Sequence, residues 1–166
     1  VNRIQVALLL PFMTNETTQS SATSRFVEYY EGLLLAVDSL RNMGTSIELS
    51  VYDTGNGTKK VKEILKEDAL SNANLIIGAV QNDQIGLIAD FAQKHNINYV
   101  IPFTSKNDDV LSNANVYQVN TPHSYLYSKA AQAGCDLFSD YNIILVNIKD
   151  KEEKPEFIKA FKTEMQ

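Results

Sequence analysis

Two hydrophobic patterns alternate along the chain: short dense apolar runs, and longer stretches in which apolar residues return every three or four positions. Ile4 to Leu10 is a run of the first kind, closed by Pro11, as expected of a strand buried on both faces. A Ser/Thr-rich stretch from Thr14 to Ser24 follows. Phe26, Tyr30, Leu33, Leu34, Val37 and Leu40 then recur at helical spacing, with Ser24 placed to cap the helix and Gly44 to stop it. Ile47 to Tyr52 alternates apolar and polar residues and predicts a strand nearer the sheet edge, ending in the turn cluster Asp53-Thr54-Gly55-Asn56-Gly57. Val61, Ile64, Leu65 and Ala69 predict a second helix, Leu75 to Val80 a third strand with Gly78 inside it, and Ile85, Ile88, Phe91 and Ala92 a third helix.

Tyr99 to Phe103 and Val116 to Val119 predict two further strands. After Thr121-Pro122 comes a helix carrying Leu126, Ala130, Ala133 and Leu137, then a strongly apolar strand from Ile143 to Ile148, then a helix carrying Phe157, Ile158, Phe161 and Met165. Strands alternating with helices of this length predict an α/β fold: a doubly wound parallel sheet with helices on both faces, built from right-handed βαβ crossovers. Ligands in such sheets bind where the strands end at their carboxyl termini. The segments after Leu10, Tyr52, Val80, Phe103 and Val119 are therefore the ones to inspect.

Composition narrows the function classes. The chain has 166 residues, 44% hydrophobic and 21% charged, which suits ordinary globular folding. Its densest apolar run, from Ile4 to Phe12, is too short for a membrane helix, and the chain opens on a strand-like run with no basic, apolar leader. With 15 basic against 20 acidic residues the net charge is −5, and no Lys/Arg cluster offers a nucleic acid a basic face. A single cysteine, Cys135, excludes an intrachain disulfide and is expected to be a buried structural thiol.

Most chemistry is missing from the expected site. Gly55-Asn56-Gly57-Thr58-Lys59 has the wrong spacing for a phosphate-binding loop, and the segment after the first strand has no glycine for a dinucleotide fingerprint. A phospho-acceptor receiver domain shares the layout, but its acidic positions carry Pro11-Phe12 and Gln81-Asn82, and Asp53 ends the wrong strand. His95 and His123 have no Cys or carboxylate at ligand spacing and are expected at a helix end and a helix start, so neither metal nor cofactor is expected. Tyr29-Tyr30, Tyr125 and Tyr127 read as packing and surface residues. What remains is neutral hydrogen-bonding chemistry: Asn82 and Asp83 after one strand, Thr104 and Ser105 after the next. Amides and hydroxyls beside helix N–H groups suit reversible binding of a small polar group and provide no nucleophile–base pair.

The order of motifs resembles that of type I periplasmic-binding proteins, particularly the leucine/isoleucine/valine-binding branch that serves ABC importers. The resemblance runs through Val6 to Pro11, Ala36-Val37-Asp38-Ser39-Leu40, Leu49 to Thr54, Leu75 to Val80, Val100 to Ser105 and Val116 to Thr121. It implies strand order 2-1-3-4-5, as in flavodoxin-like folds, with residues 1–120 as the first lobe and 121–166 as the start of a second lobe whose remainder is absent. It also implies export to the periplasm or cell envelope and an ABC permease as partner. The positions that would hold a ligand's carboxylate and ammonium match Asn82, Phe103 and Ser105, and the expected ligand-binding set is completed by Gln81, Thr104, Asn120 and Thr121.

Three positions depart from the family's pattern. Asn82 stands where Ser is usual, Phe103 where a small residue is usual, and Asn120 where Arg is common. Relatives of this fold also include envelope lipoproteins that regulate cell-wall synthesis or are joined to peptidoglycan-binding LysM repeats. Phe103 favours such an interaction protein, without a pocket; Asn82 and the Ser/Thr-rich first loop favour a non-enzymatic receptor for a small polar solute such as an amino acid. An α/β enzyme of flavodoxin-like type is the remaining alternative. The strand expected at Ile143 to Ile148 has no sheet to join and is expected to pair with a second copy, giving a homodimer.

Overall fold

The computed structural model describes residues 3–14, 21–146 and 155–165. Within them the chain divides into two compact units, Val1–Asn120 and Thr121–Gln166. The first is built on a five-stranded sheet in the order β2-β1-β3-β4-β5. Its strands are β1 (Ile4–Leu10), β2 (Ile47–Asp53), β3 (Leu75–Gly78), β4 (Asn98–Ile101) and β5 (Val116–Gln118). All four neighbouring pairs are parallel. The helices of this unit are α1 (Ser21–Asn42), α2 (Lys59–Ile64), α3 (Asp68–Ser71) and α4 (Asn82–His95).

β1 is apolar on both sides because both sides are covered, and Val6 to Leu10 are all buried. Ala7 and Leu9 join a core that takes in Val61 and Ile64 of α2, Leu70 of α3, and Ile85, Ile88 and Ala92 of α4. Val6, Leu8 and Leu10 alternate with them and face the opposite side, where a right-handed β1–α1–β2 crossover puts α1. That side is covered more thinly: Leu34 of α1 is 42% exposed and Val51 of β2 is 40% exposed. β2 lies at the sheet edge, in keeping with its alternating pattern.

Several element ends differ from the sequence reading. α1 spans Ser21–Asn42, so Ser24 lies inside it and does not cap it. The expected second helix is two, with Glu67 in an extended conformation between them. The break has a packing reason: it turns Leu70 into the core and leaves Ala69 exposed, whereas one continuous helix would point Leu70 away from the face of Val61 and Ile64. α4 ends at His95, and Asn96 closes it in the left-handed conformation, donating its N–H to Ala92 and Gln93 carbonyls.

β3 stops at Gly78 and does not continue to Val80. Gly78 has φ 129° and Ala79 has φ 55°, so the chain turns sharply out of the sheet. A Cβ on Gly78 would run into the carbonyl oxygen of Leu9. The same oxygen accepts the Ala79 N–H at 2.8 Å, and the buried Tyr99 hydroxyl donates to the Gly78 carbonyl at 3.1 Å. β4 likewise ends at Ile101, two residues short of Phe103.

The second unit contains α5 (His123–Leu137) and α6 (Pro155–Glu164), packed through Tyr127, Phe157 and Phe161, with Phe161 against Gly134. Cys135 is half-buried here, not fully buried. The expected strand at Ile143 to Ile148 is not formed over 143–146, and 147–148 lie outside the described residues. A strand needs a ladder partner, and the second unit holds none among its described residues. Ile144 and Val146 are each 83% exposed.

Two alanine substitutions test the turn at the end of β3. Gly78→Ala is expected to destabilise the first unit by about 3 kcal/mol or more, through the backbone clash and the unfavourable φ. Gly86→Ala, in α4 with nothing near the new methyl group, is expected to be neutral or to stabilise by about 0.5–1 kcal/mol. Urea unfolding followed by circular dichroism measures both.

Candidate functional site

Because every strand is parallel, all five carboxyl ends leave the sheet along one edge. Ile77 pairs with Val100, and Ile101 with Gln118. The segments after β3, β4 and β5 therefore emerge beside one another. The candidates Gln81, Asn82, Phe103, Thr104, Ser105 and Asn120 all fall on that edge. Thr121 is the first residue of the second unit.

Asn82 and Asp83 form the exposed first turn of α4, and no side chain caps this helix start. Thr104 and Ser105 are half-buried, and the Thr104 hydroxyl oxygen accepts the Lys106 N–H at 3.0 Å, which leaves its O–H able to donate. Asn120 is exposed, and its carbonyl accepts the Gln118 side-chain amide at 2.8 Å. Gln81 is committed elsewhere. Its amide oxygen accepts the Gly57 N–H at 3.0 Å and its nitrogen donates to the Asn56 side chain at 3.1 Å, tying the β2–α2 loop to the start of α4.

Phe103 does not stand out from the edge into solvent. Its ring packs nearly perpendicular to Tyr29 of α1 at 4.8 Å and to Phe26 at 5.5 Å, between centroids. Phe12 makes the same kind of contact with Tyr30 at 5.9 Å. These rings are half-buried, and burial pushes the Tyr29 hydroxyl pKa above its ordinary value. The Tyr29-Tyr30 pair is thus packing, as the sequence reading had it, but packing that borders the site.

Two residues that shape this edge are not legible as site residues in the sequence. Asp53, at the end of β2, accepts the N–H groups of Met13, Thr14 and Gly55 at 3.0–3.1 Å and the Thr14 hydroxyl at 2.8 Å. Lys60 reaches the same carboxylate at 3.2 Å. The group draws three segments together, including Met13, which adopts φ 54°. Burial works against its charge, but the Thr14, Gly55 and Lys60 donors prevail and hold its pKa well below the usual carboxylate range. Gln84 is the second. It is fully buried on the apolar face of α4 and donates to the Gly55 and Gly57 carbonyls at 3.2 and 2.8 Å. The only hint in the sequence is a polar residue beside Ile85, on the face that Ile88 and Ala92 also occupy.

Asp53→Asn is expected to destabilise the first unit by about 1–3 kcal/mol at neutral pH, because a charged acceptor with several donors is replaced by a neutral one. The folded pKa is depressed, so the carboxylate's contribution is complete above its unfolded value of about 4 and is lost as pH falls below it. Urea unfolding near pH 7 and again below pH 4 should therefore show the gap between the wild type and Asp53→Asn narrowing in acid. An unchanged gap would mean that the charge is not what joins the segments.

No family model and no curated protein sequence matches the chain. Solved structures do. An ABC transporter substrate-binding protein from Desulfitobacterium hafniense aligns over 99% of this chain and 47% of its own, at 13% identity and TM-score 0.68. A solute-binding protein from R. palustris, in complex with benzoate, aligns over 99% and 45%, at 18% identity and TM-score 0.63. A leucine-binding protein from Thermotoga maritima aligns over 98% and 45%, at 18% identity and TM-score 0.62. The chain spans less than half the length of these neighbours. Its fold is that of the type I periplasmic-binding proteins.

Proposed function

We propose that this chain is the solute-gripping part of a non-enzymatic receptor, with residues 1–120 as its first lobe and 121–166 as the start of a second. The observation that carries the reading is the grouping of neutral donors and acceptors on one sheet edge. Asn82 at the start of α4 and the Thr104 and Ser105 hydroxyls leave adjacent parallel strands. An uncapped helix start beside hydroxyls suits a carboxylate or another small polar group. The fold's neighbours include proteins bound to leucine and to benzoate, which supports a small solute of that size. By the same analogy the protein works outside the cytoplasm, in the periplasm or cell envelope, and delivers its solute to an ABC permease.

One observation favours a second reading. The Phe103 ring fills space against Phe26 and Tyr29 where a small residue would leave room, as expected of an envelope protein that keeps the fold for contact with peptidoglycan or cell-wall proteins. Thermal-shift measurements against amino acids, small carboxylates and muropeptides separate the two. A receptor's solute raises the unfolding midpoint by mass action, worth about 2.7 kcal/mol at a hundredfold excess over Kd. A shift with muropeptides alone supports the envelope role. Silence with every solute contradicts the receptor reading.

We also propose that the second unit associates with itself through Ile144, Leu145 and Val146, which are 83%, 46% and 83% exposed. Light scattering is expected to show concentration-dependent dimers. A monomer at all concentrations contradicts this.

A further inference from the structure

We propose that the corner formed by Phe26, Tyr29 and Phe103 selects a solute carrying a planar aromatic ring over an aliphatic group of the same size. This rests on the receptor reading above and names the class of solute that the site takes. The three rings come from two elements that meet at the carboxyl edge: Phe26 and Tyr29 from α1, Phe103 from the segment after β4. The interplanar angles of 71° and 68° set Phe103 edge-to-face with both partners. All three residues are half-buried, so none is sealed in the core, and Phe103 is followed in the chain by Thr104 and Ser105.

Rings favour further rings in this arrangement, because the positive edge of one meets the negative face of another. A ligand ring would extend the edge-to-face packing that already runs from Phe26 through Phe103 to Tyr29. An aliphatic group of equal area would gain the burial and lose the quadrupole match, a difference of about tenfold in affinity if one ring pair is made. The hydroxyls of Thr104 and Ser105 and the exposed Asn82 amide lie on the same edge, placed for the polar head of such a molecule. A small aromatic carboxylate satisfies both halves of the site.

Benzoate and cyclohexanecarboxylate share a carboxylate and a six-carbon ring and differ in aromaticity, so the pair isolates the claim. Amide and aromatic NMR titrations of the whole chain are expected to show benzoate binding about tenfold tighter, with ring-current shifts at Phe26, Tyr29 and Phe103. Phe103→Leu and, separately, Phe26→Leu should reduce the benzoate affinity to that of cyclohexanecarboxylate. Phe91→Leu, at a ring packed on His95 in α4, should leave it unchanged. Two variants are used so that a fold lost in one does not decide the matter.

Equal affinity for the two acids overturns the aromatic selection and leaves the receptor reading standing, as does binding of leucine without benzoate. Binding of tetramethylammonium at these rings in place of benzoate also overturns it, by showing a corner built for a cation. If no carboxylate and no amino acid binds at all, the receptor reading falls and this inference falls with it.

Discussion

Strand β1 is hydrogen-bonded on both sides, to β2 from Ile4 through Leu10 and to β3 from Val6 through Leu9, and both pairings are parallel. A central strand with no free edge leaves its neighbours one register. Its faces must both be apolar, and the crossovers must return each following strand in the same direction. Everything at the carboxyl edge follows from that. Gly78 lies so close to the Leu9 carbonyl that no side chain fits there. It ends β3 early, turns the chain through Ala79, and determines where Gln81 and Asn82 begin α4. A side chain at position 78 would move the start of that helix, and with it the part of the edge that carries the amide.

The edge itself is held by polar groups whose partners lie inside the fold. Asp53 gathers the end of β1, the β2–α2 loop and Lys60 around one carboxylate, and Gln84 and Gln81 hold the same loop from the side of α4. Asn82, Thr104 and Ser105 lie on the same edge as the aromatic corner. Groups with several partners inside the fold are already satisfied, which suits them to holding the edge in shape.

How far the sequence could be read depended on which force decided each feature. Strand cores were legible because burial on both faces leaves unbroken apolar runs, as in Val6 to Leu10. The strand order came from the resemblance of ordered motifs, and the sheet has that order. Ends were less legible. The turn at Gly78 and Ala79 arises from a contact with β1 that no local pattern encodes, and the break between α2 and α3 serves Leu70, whose phase only the packed core reveals. Ile143 to Val146 looked like a strand because it is apolar, but a strand is made by its partner. Phe103 was legible as a position, yet the direction of its ring, back against Phe26 and Tyr29, depended on α1. Asp53 was dismissed with the chemistry it lacks, and its structural role comes from donors distant in sequence.

The central claim is that a small solute is held, unaltered, where parallel strands end. Hydrogen–deuterium exchange of the chain with and without saturating solute tests it most directly, since bound solute slows local opening wherever it makes contacts. The account predicts slower exchange in the segments 79–86 and 102–108, with no change around the groove lined by Arg3, Arg41 and Thr45 at the opposite end of the sheet. Protection confined to that groove, or to the second unit alone, would contradict it.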